Sequence, residues 1–133
     1  MDLTEMLRGS MPLCATLNMR GVTWTAELVE MELDFDPALC TSGGALHGGA
    51  LMALADAAGG ACAAANLPEG AVGTSTIESK TNFLGAVKDG TLTATSRPLH
   101  VGSSTIVIET GLRRSDGRLV GKTTQTQTVL RPR

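Results

Sequence analysis

The chain has 133 residues, 42% hydrophobic and 18% charged, with a net charge of −2, enough for one folded domain with a real core. That balance and the lack of any Lys/Arg cluster exclude nucleic acid as the main partner. No apolar run reaches the roughly 20 residues that a membrane span needs.

Aromatics are scarce, with one Trp, two Phe and no Tyr, so the core has to be aliphatic. The opening segment MDLTEMLRGS is polar and lacks a signal-peptide pattern. Cys14, Cys40 and Cys62 are widely spaced and form no CxxC pair. They read as small core residues, with no disulfide framework, no metal site and no cofactor, and a reducing cytoplasm as the location.

In chain order, residues 2–8 read as a short helix begun by Asp2 and stopped by Gly9. The stretch VTWTAELVEMELDFD alternates: Met31, Leu33 and Phe35 point one way, Glu30, Glu32, Asp34 and Asp36 the other. Period two predicts one half-buried strand, ended by Pro37. CTSGG is a small-residue loop. From about 48 to 65 the chain is Ala-rich and nearly uncharged, which predicts a buried helix, closed by NLPEGAVG. After residue 72, four runs rich in Thr, Val and Ile are separated by KDG, HVG and SDG. Asp-Gly between such runs is a hairpin signal, so an antiparallel meander of four strands is expected. TTQTQT, 123–128, reads as a solvated or interface face of the last strand. The whole is one α+β domain over 1–133, with 1–20 as a helical lead-in. Wrapping the sheet around the apolar helix buries that helix on most sides.

One carboxylate interrupts the apolar helix. In ALHGGALMALADAAGG, residues 45–60, Asp56 is costly to bury without a partner or a purpose. It is either satisfied by a neighbouring group or kept for chemistry. His47, at the mouth of the helix, either orients the loop or takes part directly.

GGALHGGALMALADAAGG resembles the motif of hotdog-fold acyl-CoA thioesterases of the PaaI type: His-Gly-Gly, six residues, an acidic residue, then small residues. Here these are His47, Gly48, Gly49 and Asp56. The resemblance covers about residues 20 to 130. It implies a hotdog fold, a curved antiparallel sheet around one long helix, and hydrolysis of an acyl-CoA thioester. By the same resemblance Asp56 activates water or attacks the carbonyl, the two being left open. The residues suit that chemistry. Backbone N–H groups of Gly48 and Gly49 lie where a helix leaves donors unpaired and its dipole is positive, which stabilises charge developing on a thioester oxygen.

Around that centre the resemblance is looser. Thr41 stands where the family often has Asn or Gln, and Ser75 where relatives place a hydroxyl beside the carboxylate. Gly102 and Ser103, followed by Ser104, occupy a loop in which many relatives carry an arginine for coenzyme A phosphates. This chain has none there, leaving hydroxyls, backbone, or Arg97, Lys80, Lys88 and Lys122. Few ion pairs to coenzyme A are therefore expected, with a Michaelis constant that changes little with salt. His100 reads as a surface strand residue.

Geometry adds an oligomeric expectation. Gly48 and Asp56 are eight residues apart, about 12 Å along a helix, too far to act on one thioester. A homodimer with two equivalent sites follows, as in the hotdog family, and a homotetramer of two dimers is expected. The competing reading is a non-catalytic hotdog protein that binds or senses acyl-CoA, for which Asp56 is unnecessary. A hydratase on the same fold needs a His and acidic pair arranged differently.

Overall fold

Asp2 starts the first element. In the computed structural model, which describes residues 1–133, its carboxylate accepts the Glu5 N–H at 2.8 Å while Glu5 reaches back to the Asp2 N–H, a reciprocal cap. Helix α1 (Leu3–Ser10) runs through Gly9 instead of stopping there. A second short helix, α2 (Pro12–Thr16), follows with Pro at its first position, where a missing N–H costs nothing. The chain then turns at Asn18, whose φ of 56° is one that Asn tolerates. Helix α1 lies on the sheet at Gly21. A Cβ there would stand 2.5 Å from Leu7 Cδ1 and 2.7 Å from Leu3 Cγ, so the missing side chain makes the contact possible.

The single strand expected after this is a hairpin. Strands β1 (Arg20–Trp24) and β2 (Val29–Asp34) pair antiparallel. The turn between them, TAEL, has no Gly, Pro or Asn to announce it. Thr25 makes it instead: its hydroxyl accepts the Leu28 N–H at 3.0 Å and its N–H donates to the Leu28 carbonyl at 2.9 Å. The alternation itself holds, with Val29, Met31 and Leu33 fully buried.

Helix α3 (Gly48–Ala64) precedes strands β3 (Gly73–Phe83), β4 (Thr91–Val101), β5 (Thr105–Arg113) and β6 (Leu119–Leu130). All pair antiparallel in one six-stranded sheet of order β1-β2-β4-β5-β6-β3. The expected meander is therefore interrupted. Strand β3 pairs with β6, from Gly73 opposite Leu130 to Phe83 opposite Gly121, because both edges of β4 are taken by β2 and β5. KDG is a connection rather than a hairpin, and Gly90 serves it with a φ of 69°. The other two turn signals do close hairpins, and Gly117 in SDG has a φ of 86°.

Helix α3 packs against β2, β4 and β5 on the inner face of this sheet. Leu54, Ala55, Ala58 and Cys62 meet Met31, Leu33, Leu92, Ile106 and Ile108, all at 0% exposure. Asn66 ties the end of the helix to the β1–β2 turn, donating to the carbonyls of Ala26 and Cys62 at 2.8 Å each. This is the hotdog layout. The helix is not enclosed on every side, however. Gly49, Met52, Asp56 and Ala64 form an exposed stripe. Strand β3, one of the two edges of the sheet, is exposed along most of its length, with Ile77 63% and Phe83 51% accessible.

Candidate functional site

Four backbone N–H groups at the start of α3 lack partners inside the helix. The sequence settles three of them locally. His47 is the N-cap residue, held by its own N–H to the Leu39 carbonyl at 2.8 Å. Its Nδ1 accepts the Gly49 N–H at 2.8 Å, so this nitrogen carries no proton in the capped arrangement. The Ala50 and Leu51 N–H groups donate to the His47 carbonyl at 2.8 and 3.3 Å. The Gly48 N–H has no acceptor in the chain. The phenyl ring of Phe83 covers Gly48: a Cβ on this residue would stand 3.1 Å from Cζ. One free donor thus remains at the positive end of the helix, at the foot of an aromatic ring.

Asp56 lies just over two turns further along α3, about 12 Å by helix geometry, on the exposed stripe. It accepts one hydrogen bond, from Gln125 Nε2 to Oδ1 at 3.3 Å. Gln125 is fully buried on the inner face of β6. Its carboxamide fits only because residue 59 is glycine, since a Cβ there would fall 1.9 Å from Oε1. Oε1 is the one buried side-chain oxygen or nitrogen without a hydrogen-bond partner.

Strand β6 corrects the reading of TTQTQT. Thr123, Gln125 and Gln127 point inward and are buried, while Thr124 is exposed. The inward polar groups are paired across to the edge strand: Gln127 Nε2 donates to Thr76 Oγ1 at 2.6 Å, and the Thr81 and Thr123 hydroxyls are 2.7 Å apart. Gln125 is the functional candidate that the sequence did not reveal. It is 69 residues from Asp56, and only the pairing of β6 decides which residues of the run face inward.

The remaining expected site residues fall in three places. Thr41 is exposed in the loop before α3, where its hydroxyl accepts the Gly43 N–H at 3.2 Å. Ser75 is exposed on β3, opposite Thr128; the place beside Asp56 of its own chain belongs to Gln125. Gly102 and Ser103 close the β4–β5 hairpin, with the Gly102 N–H donating to the Thr105 carbonyl at 2.9 Å. This loop lies by the Leu130 end of β6, whereas Phe83 and Gly48 lie by Gly121, about 30 Å away at 3.3 Å per strand residue. One chain does not bring the two together. The loop is also not without a cation: Arg131 Nη2 donates to the Ser103 carbonyl at 3.0 Å and Nη1 to the Glu69 carbonyl at 2.9 Å. A guanidinium 28 residues away in sequence leaves no local motif to find. Lys122 is engaged by Glu109.

Two apolar grooves flank the start of α3. One, about 360 Å³, is bounded by Ala45, Leu46, Leu51, Phe83 and Val87 beside Gly48. The other, about 370 Å³, is bounded by Leu13, Leu17, Leu39 and Ala53 beside His47 and Gly49. No three His, Cys, Asp or Glu side chains cluster in metal-binding reach. Burial pushes the Cys62 thiol up to about 11, so it stays protonated and inert at neutral pH. No helix is long and apolar enough to cross a membrane.

Comparison with known proteins points the same way. Residues 43–121 match the thioesterase superfamily. ComA2 of Bacillus subtilis, an esterase candidate by name, is 32% identical over 108 residues, covering 81% of this chain and 86% of that one. A thioesterase family protein from Silicibacter pomeroyi superposes with a TM-score of 0.86 at 27% identity, over 97% of this chain and 96% of its own. A thioesterase from Haemophilus influenzae shares the fold, with a TM-score of 0.88 at 23% identity over 98% and 92% of the two chains.

Proposed function

The chain belongs to the thioesterase superfamily, and from that premise we propose that it hydrolyses acyl-CoA thioesters of the PaaI type at a site shared by two subunits. The observation that carries this reading is the solitary free N–H of Gly48 at the positive end of α3. A thioester carbonyl oxygen accepting that hydrogen bond gains negative charge as the tetrahedral centre forms, and the donor stabilises it where it develops. Gly49 helps by lacking a side chain, and His47 by consuming the neighbouring donor and fixing the turn. The two apolar grooves on either side of Gly48 suit an acyl group and the pantetheine arm.

Asp56 supplies the attack, either as base toward a water or as nucleophile on the carbonyl carbon. At about 12 Å from Gly48 it serves a site in another copy. The free edge of β3 favours that copy. It presents the outer, unpaired edge of an eleven-residue strand with Ile77 exposed on it, a template for pairing. Antiparallel pairing of β3 with its symmetry mate, centred near Ile77 and Glu78, sets the two α3 helices side by side in opposite directions. It also carries the second copy's Ser75, Gly102 and Ser103 toward the Phe83 end of the first, where they contact the substrate. Thr41, whose backbone N–H donates to the carbonyl of Ala45 on the groove beside Gly48, is assigned to the same site. A homodimer, assembling further into a tetramer in the cytoplasm, is the form we propose.

The test is a panel of acyl-CoA thioesters read by release of free thiol, on the wild type and on Asp56→Asn. The substitution keeps size and removes charge. Turnover should fall at least the roughly 10²-fold typical of losing an acid–base group, with the melting temperature and acyl-CoA affinity retained. Near-normal turnover by Asp56→Asn overturns its role, and failure to cleave any acyl-CoA overturns the substrate class.

A further inference from the structure

We propose that Gln125 is the positioning residue for Asp56, its carboxamide seated against Gly59 so that Nε2 faces the carboxylate. The proposal rests on the reading of Asp56 as base or nucleophile. A carboxylate on the exposed stripe of a helix has no fixed torsion of its own, since its terminal rotation is soft. Here one oxygen is held from below. An ionised carboxylate offers acceptors only, so the amide must present Nε2 to it. That choice sends Oε1 toward Gly59, where it finds no donor. An orphaned buried acceptor is unfavourable, and an apolar residue of the same length would avoid it. The amide has one hydrogen-bonding task that such a residue lacks, the bond to Asp56 Oδ1 at 3.3 Å.

Glycine at 59 is the other half of the arrangement. Any larger residue would occupy the position of Oε1 and drive the carboxamide away from the helix. The seating is rigid because Gln125 is fully buried, between Ser79 and Ile108 on the neighbouring strands. With Oδ1 engaged, Oδ2 is the oxygen left to meet the water or the carbonyl carbon. Gln125 never touches the substrate; it fixes which oxygen of Asp56 does.

The experiment compares kcat and KM for wild type, Asp56→Asn, Gln125→Met and Gly59→Ala, each checked by circular dichroism and melting. Gln125→Met keeps the length and removes the donor. Its kcat should drop about tenfold, as expected for losing one hydrogen bond to a charged group, with KM unchanged. A purely structural role would show instead as a lowered melting temperature or a raised KM, with no selective loss of kcat. Gly59→Ala should act in the same direction with Gln125 intact. If Asp56→Asn is inactive while Gln125→Met keeps wild-type kcat, the positioning role is wrong and the reading of Asp56 stands. If Asp56→Asn turns over normally, the underlying reading has failed. Should Gln125→Met not fold, Gln125→Leu replaces it. It too lacks the amide donor, so the same loss of kcat is expected, and wild-type kcat overturns the proposal.

Discussion

At the scale of single residues, the two glycines of the His-Gly-Gly motif are not equivalent. His47 Nδ1 removes the Gly49 N–H from play and leaves that of Gly48, so one imidazole turns a general helix terminus into a single aimed donor. The cysteines are ordered by the same local logic. Cys62 is fully buried and its thiol is pushed up to about 11, and burial also raises that of Cys14, against a smaller opposing effect of Arg8. Cys40 is partly exposed at the mouth of the groove beside His47. At pH 8 an aromatic disulfide reagent should therefore label one thiol rapidly, Cys40, and three after denaturation; two or three fast thiols in the native protein would contradict this packing. The raised Cys62 value also has a sign for stability. Its contribution is present in full below the unfolded thiol's value near 9 and is lost as pH rises toward 11, so melting temperature should decline across that alkaline window.

At the scale of elements, the edge strand carries the account of assembly. Ile77 sits at an irregularity in the β3–β6 register and is 63% exposed, where an unpaired apolar side chain on a bare edge invites a partner. Ile77→Asp should yield a monomer by light scattering, with circular dichroism retained and activity lost. An active monomer would contradict the shared site. The elements also show what a sequence discloses. The inward residues of β2, the central helix and the SDG and HVG hairpins follow from periodicity and turn chemistry, because each is fixed by neighbours in the chain. The TAEL turn escaped because a threonine hydroxyl closes it without Gly, Pro or Asn. The pairing of β3 with β6 escaped because KDG marks a positive φ at Gly90 and says nothing of partners. His47, Gly48 and Asp56 were legible as a local motif on one helix. Gln125 and Arg131 were not, since their relation to Asp56 and to the Ser103 loop exists only after the sheet has formed.

At the scale of the molecule, Gly48 of one subunit and Asp56 of another are proposed to act on the same thioester. Gly48 is the first residue of α3, a position where proline fits a helix, and Gly48→Pro removes the free N–H with only the exposed Phe83 ring to displace. Gly48→Pro and Asp56→Asn should each be nearly inactive alone. Mixed by co-refolding, they form hybrids in which one site has both intact residues and the other has neither. With half the dimers hybrid and one working site in each, the mixture should regain about a quarter of wild-type activity by two-fold symmetry. A mixture as inactive as its parents would contradict the account and place both groups in a single subunit's site.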